Sequence, residues 1–316
     1  SSEGGAITLS WVSGLSGSTA GFNVYRSASA FTDTQQATPL NGSALTKTTY
    51  TDLPFDDGVY YYRIEALNAL ATPSELSNQV SIVVDSTAPR ALEIAYTPSG
   101  NVDFDTGAMA RGFVDVVVTV SEPLVTDPFM TIAPDGGLPI NVDLTEVYPP
   151  NGELIQYQGQ FEITATTVSG NAYAIFSARD LYGNRGTEID EGQQIEIDAR
   201  GPAIQQLTLT PTHPIQNNAA DPATINIEFI LDEPLSSDAA PQLSYLLSAE
   251  GQIETAIDNV VQVNLTTWEA SFTLPAEAGL AAPELLQVSY SGVDALGNEG
   301  STILGRNSFQ VYQGEL

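Results

Sequence analysis

Asp180-Leu181-Tyr182-Gly183-Asn184 returns later in the chain as Asp294-Ala295-Leu296-Gly297-Asn298. Each copy has an acidic partner upstream, Ser121-Glu122-Pro123 for the first and Asp232-Glu233-Pro234 for the second. Each also follows an acidic hinge, Asp85-Ser86-Thr87-Ala88-Pro89 or Asp198-Ala199-Arg200-Gly201-Pro202. Glu122 and Glu233 are 111 residues apart (233 − 122), and the apolar pairs Val116/Ile227, Val118/Phe229, Val120/Leu231, Tyr157/Trp268 and Phe161/Phe272 keep that offset. Asp180 and Asp294 are 114 apart (294 − 180), so a three-residue insertion separates the copies. It is expected in the Pro/Ala-rich stretch Pro275–Pro283, because loops tolerate length. The hinge acids are 113 apart (198 − 85), and the chain therefore carries an internal repeat.

The apolar residues of each copy alternate with polar ones, the period of half-buried strands. Successive strands of a seven-strand sandwich run up and down. The loop after the second strand and the loop after the sixth therefore share a pole with the residue before the first. Asp85 precedes the first strand, Glu122 follows the second (113–120), and Asp180 follows the sixth (172–178). The same reasoning gathers Asp198, Glu233 and Asp294 in the last copy.

Three carboxylates held together repel one another unless a cation neutralises them. Ca²⁺ suits the arrangement, since it takes roughly six to eight oxygens in loose geometry, readily supplied by loops. Mg²⁺ suits it less well, because it demands a strict octahedron. Zinc fits poorly with no Cys and a single His. Asn184 and Asn298 either add a side-chain oxygen or shape the turn. Each motif alone also reads as turn chemistry, with Asp capping and Gly supplying positive φ. Duplication of the whole set favours Asp85, Glu122, Asp180, Asn184, Asp198, Glu233, Asp294 and Asn298 as the candidate metal residues.

Residues 1 to about 84 precede the repeat. Ile7, Leu9 and Trp11 alternate, as do Phe22 and Val24, then Tyr60, Tyr62, Ile64 and Ala66, and finally Val80, Ile82 and Val84. The runs 7–11, 22–25 and 50–64 resemble a fibronectin type III domain, with Trp11 as the core tryptophan of the second strand and Tyr60 as the corner tyrosine after Leu53. One departure stands out: only Ser1–Gly5 remain where that family has its first strand, so either the sequence begins inside the domain, the favoured reading, or another segment supplies the missing strand to an open sheet edge.

Units two and three resemble bacterial Ig-like repeats of large surface adhesins, which carry the same kinds of hinge, Glu-Pro turn and Asp-x-x-Gly-Asn turn. The resemblance implies calcium near domain junctions, with the six acids above as ligands. The hinge Ala199-Arg200-Gly201 departs from the pattern and sets a cation beside the last site. The expected fold is all-β, as three tandem β-sandwich domains: residues 1–86 fibronectin type III-like, 87–199 and 200–316 Ig-like.

Nine Lys+Arg against 39 Asp+Glu give a formal net charge of −30, which repels nucleic acid and anionic membranes. A disordered acidic tail is excluded by 42% hydrophobic residues at regular spacing. There is no cysteine, hence no disulfide, thiolate site or Cys nucleophile. No apolar run approaches the roughly 18 residues of a membrane span. No signal peptide is recognised, and both ends are read as cuts in a longer polypeptide. His213, in Pro211-Thr212-His213-Pro214, is read as a solvated loop histidine, with no nucleophile elbow to serve. The loop Asp103-Phe104-Asp105-Thr106-Gly107 is read as solvated, and Tyr25, Phe55 and Tyr61 as core or edge filler rather than a sugar-stacking patch.

These readings leave two functions, neither with a catalytic residue. One is an extracellular, calcium-rigidified spacer or adhesion segment of a bacterial surface or secreted protein. Its partners would be neighbouring domains of a longer chain and surface glycans or other cell-surface proteins. The other is an accessory spacer or carbohydrate-binding region of a secreted polysaccharide-degrading enzyme.

Overall fold

In the computed structural model the residues described are 6–14, 18–147, 154–212, 214–248, 254–276 and 284–313. Ser1–Gly5, His213 and most of the expected insertion lie outside them. The described residues form β-sheets and hold no α-helix; no helix is long and apolar enough to cross a membrane.

The sheets come in pairs that follow the sequence. In the first pair, Ile7–Ser10 lies antiparallel to Thr49–Asp52 and faces a four-stranded sheet of Thr38–Pro39, Thr19–Ser27, Gly58–Asn68 and Val80–Val84. Ile7, Val24, Tyr62 and Val84 are buried between them, with Leu9, Trp11, Tyr60 and Ile64 packed against that core. Trp11 meets Phe22 edge-on at 5.5 Å. The Tyr60 hydroxyl donates to the carbonyl of Asp56 at 2.7 Å, the backward bond of a corner tyrosine. Tyr25 is buried and donates to Glu65 at 2.9 Å, whereas Phe55 is fully exposed, so they form no shared aromatic surface.

The repeat supplies the other two pairs. Gly112–Val120 lies in the four-stranded sheet of the first copy with Ala91–Pro98, Ile155–Ile163 and Thr145–Val147. Gly170–Arg179 lies in the opposite sheet. In the second copy Thr224–Leu231 and Glu284–Val293 take the matching places. Their buried residues alternate as the period-two pattern requires: Ile225, Ile227, Phe229 and Leu231 on one strand, Leu286, Val288 and Tyr290 on the other. Both copies also contain a parallel contact that periodicity did not announce. Met109 bridges Ile197, and Ile215–Asn217 pairs with Val311–Gln313.

By compactness the chain divides into two units. One comprises residues 1–91, 120–128 and 177–188, and the other residues 92–119, 129–176 and 189–316. The hinge and pole loops of the first copy thus belong to one unit, and those of the second copy to the other.

Candidate metal centres

Short backbone bonds assemble each pole. The N–H of Val125 donates to the carbonyl of Arg179 at 2.9 Å, and the N–H of Ser236 donates to Val293 at 2.9 Å, joining the Glu-Pro loop to the end of the long strand in each copy. The residue before each glutamate then pins the hinge. Ser121 accepts from the N–H of Arg90 through its hydroxyl, and Asp232 accepts from Ala203 through its carboxylate. One carboxylate oxygen from each of Asp85, Glu122 and Asp180 lies within 4.8 Å of the others, and Asp198, Glu233 and Asp294 do the same. Asp180 and Asp294 are buried; the other four are half-buried.

The turn fixes the buried acid. Asp180 Oδ1 accepts the N–H groups of Tyr182, Gly183 and Asn184 at 2.8, 2.6 and 2.8 Å. Gly183 (φ 99°) and Gly297 (φ 88°) supply the left-handed backbone that closes it. The asparagines take up neither of the two expected roles in simple form. Asn184 Nδ2 donates to Asp180 Oδ2 at 2.7 Å and to the carbonyl of Asp85 at 2.9 Å. Asn298 repeats this with Asp294 Oδ2 at 2.8 Å and the carbonyl of Asp198 at 3.0 Å. Each asparagine offers its cluster an N–H rather than an oxygen, and clamps the hinge to the turn.

Two features escaped the sequence reading. The repeated motif is seven residues long, Asp-x-x-Gly-Asn-x-Gly, ending at Gly186 and Gly300. A Cβ on Gly186 would overlap the carbonyl of Pro89, and one on Gly300 the carbonyl of Pro202, so only glycine lets the hinge proline pass. The second feature comes from the preceding sandwich. At the first hinge, Asp57 accepts from Ser86 N–H, Ser86 Oγ and Thr87 Oγ1, each at 2.8 Å. At the second hinge, where Ala199 and Arg200 replace Ser and Thr, Arg111 donates to the carbonyls of Ala199 at 2.6 Å and Glu299 at 3.2 Å, and Asn101 donates to Leu296 at 2.8 Å.

Burial and mutual repulsion act on the clusters. Desolvation, then Asp85 and Asp180, raise the Glu122 carboxyl above its ordinary value. Desolvation and Asp294 raise Asp198. Glu233 is pushed up to about 7 by desolvation, Asp198 and Asp294. Arg200, as expected, sets a cation beside the last cluster: it is exposed, pairs with Asp232 at 3.6 Å, and lowers Asp198 and Glu233 against these larger effects. A carboxyl raised in the fold holds its proton longer than in the unfolded chain. The contribution of Glu233 to stability therefore falls as pH rises from about 4.5 to about 7 and is flat above. Thermal melts in chelator are expected to show a lower melting temperature at pH 8 than at pH 5.5. Glu233→Gln should narrow that gap, and an unchanged gap would remove Glu233 as its source.

The donors are hard oxygens. Ca²⁺ bonds of roughly 2.4 Å let one ion reach ligand atoms up to about 4.8 Å apart, and the acids of both clusters lie within that span. Such a set of oxygens can bind a cation. The Asp103 loop closes on itself instead, Asp103 accepting from Asp105 and Thr106 at 2.8 and 3.1 Å.

No family model matches the chain, and no curated protein matches it. Among solved structures, a Ca²⁺-stabilised adhesin that helps an Antarctic bacterium bind ice aligns with 98% of this chain and 69% of its own, at 14% identity and TM-score 0.35. A marsupial T cell receptor aligns with 95% and 94%, at 13% identity and TM-score 0.25. At these scores neither likeness bears on function.

Proposed function

We propose that the chain is a non-catalytic extracellular segment of a longer bacterial surface or secreted protein, in which calcium at two acidic poles fixes the joints between successive sandwiches. The first sandwich is of fibronectin type III kind and the next two are Ig-like. One observation carries the reading: in both copies a hinge acid meets two acids from separate loops within 4.8 Å. Calcium, when bound, supplies the positive charge that such a cluster lacks. Asp85 and Asp198 are themselves hinge residues, so neutralising the cluster holds the hinge against the pole. Without a cation the same acids repel and oppose the hydrogen bonds that hold the hinge.

Calorimetric titration of the chelator-treated protein is expected to give two saturable calcium sites. Neither Glu122 nor Glu233 has a hydrogen-bond partner among the described residues, so Glu122→Gln and Glu233→Gln remove a ligand charge without breaking a turn. Each variant should lose one site and keep the other. No binding at millimolar calcium would reduce both clusters to turn chemistry.

A further inference from the structure

The two poles differ at one buried position. Phe176, on the long strand of the first copy, corresponds to Tyr290 in the second by the same offset of 114 (290 − 176) that relates Asp180 to Asp294. Both rings are buried, Phe176 at 1% and Tyr290 at 4% exposure. The ring site therefore did not need a hydroxyl to be filled. Yet the Tyr290 hydroxyl is buried and has no hydrogen-bond partner among the described residues. Leaving a hydroxyl so is costly, and such groups generally find a protein or water partner.

Its position is informative. A Cβ built on Gly292 meets both the Tyr290 hydroxyl and Leu235 Cδ2, so the hydroxyl lies between the strand end leading to Asp294 and the loop leading from Glu233. Asp232 and Glu233 both act on it electrostatically. On its other sides it meets the Phe229 ring, centroids 6.3 Å apart, and the apolar core. Among the described residues, the charged groups that act on it belong to the loop of the acidic pole.

We propose that Tyr290 is a positioning residue for the cation site of the last copy: with the cation bound, its hydroxyl donates to Glu233, directly or through one ion-bound water. This rests on the cation-binding reading above. It makes the two sites unequal, since the first copy has only Phe176 at that place. Groups one shell out from a metal typically change affinity by roughly 10–100-fold when removed, because they orient a ligand rather than supply one.

The test is Tyr290→Phe, which installs the first copy's residue. Calcium titration of the full chain should show the last site weakened about tenfold, and the first site unchanged. The melting temperature in chelator should rise or stay level, because an unsatisfied hydroxyl has been removed, while the calcium-induced increase shrinks. The reciprocal change, Phe176→Tyr, reports whether the first pole can use the same group. Unchanged affinity at the last site in Tyr290→Phe would overturn the proposal while leaving both sites in place. Equal loss of stability with and without calcium would mark Tyr290 as a packing residue and overturn it equally. Absence of calcium binding in the parent chain would instead remove the reading on which the proposal rests.

Discussion

Calcium at about a hundredfold excess over its dissociation constant should raise the melting temperature of each site-bearing sandwich by roughly 10–20 °C. Selective binding to the folded state stabilises it by about 2.7 kcal/mol at that excess. For a sandwich of this size, about 1 kcal/mol moves the midpoint by roughly 4–8 °C. The effect is large because the starting state is poor: each cluster packs three acids at 4.8 Å or closer, one of them buried. Magnesium should do much less, since it keeps its waters and requires a tighter shell. Glu122→Gln is the informative variant. It should abolish the calcium-dependent rise for its own sandwich without lowering the melting temperature in chelator, because it also removes repulsion. Scanning calorimetry with chelator, calcium and magnesium measures all three. Equal rises with both ions would point to general screening of the −30 charge rather than to built sites.

Gly186→Ala and Gly300→Ala should each destabilise the protein by about 3 kcal/mol or more, the upper range for forcing extra atoms into a packed position. The obstruction is backbone, the carbonyls of Pro89 and Pro202, and cannot swing aside like a long side chain. Displacing either proline also displaces the hinge acid four residues before it, Asp85 or Asp198, so calcium affinity should fall with stability. Gly183→Ala separates sterics from backbone conformation. It has open space around it but φ of 99°, and should cost only about 1–2 kcal/mol. Urea denaturation of the three variants gives the order. Gly186→Ala within about 0.5 kcal/mol of the parent would show that the hinge yields freely.

The acids were legible because their positions follow from strand alternation and repeat arithmetic alone. Glu122 and Asp180 each follow a strand whose direction the topology dictates, and Asp85 precedes one. The clamp role of Asn184 was not legible. A sequence cannot say which end of an amide faces a carboxylate when the deciding partner, the Asp85 carbonyl, lies 99 residues away. Gly186 was visible as the end of a repeated seven-residue motif, but its reason is a contact with Pro89 across the fold. Asp57 and Arg111 were missed for a different cause. They do the same job at successive hinges with opposite charge, so neither repeats, and a search for repeats passes over them. Trp11 and Tyr60 pack against the first core, as the alternation of their strands implies.

The Asn298 amide holds the carbonyl of Asp198 and the carboxylate of Asp294 at once, and Arg111 holds Ala199 and Glu299 beside it. When such a chain is pulled from its ends, tension enters the last sandwich through this hinge. There the side-chain bonds of Asn298 and Arg111 must break as well as the linker extend, so the joint should yield at higher force than a bare linker of the same length. Under load the hinge would then hold longer than an unbonded one.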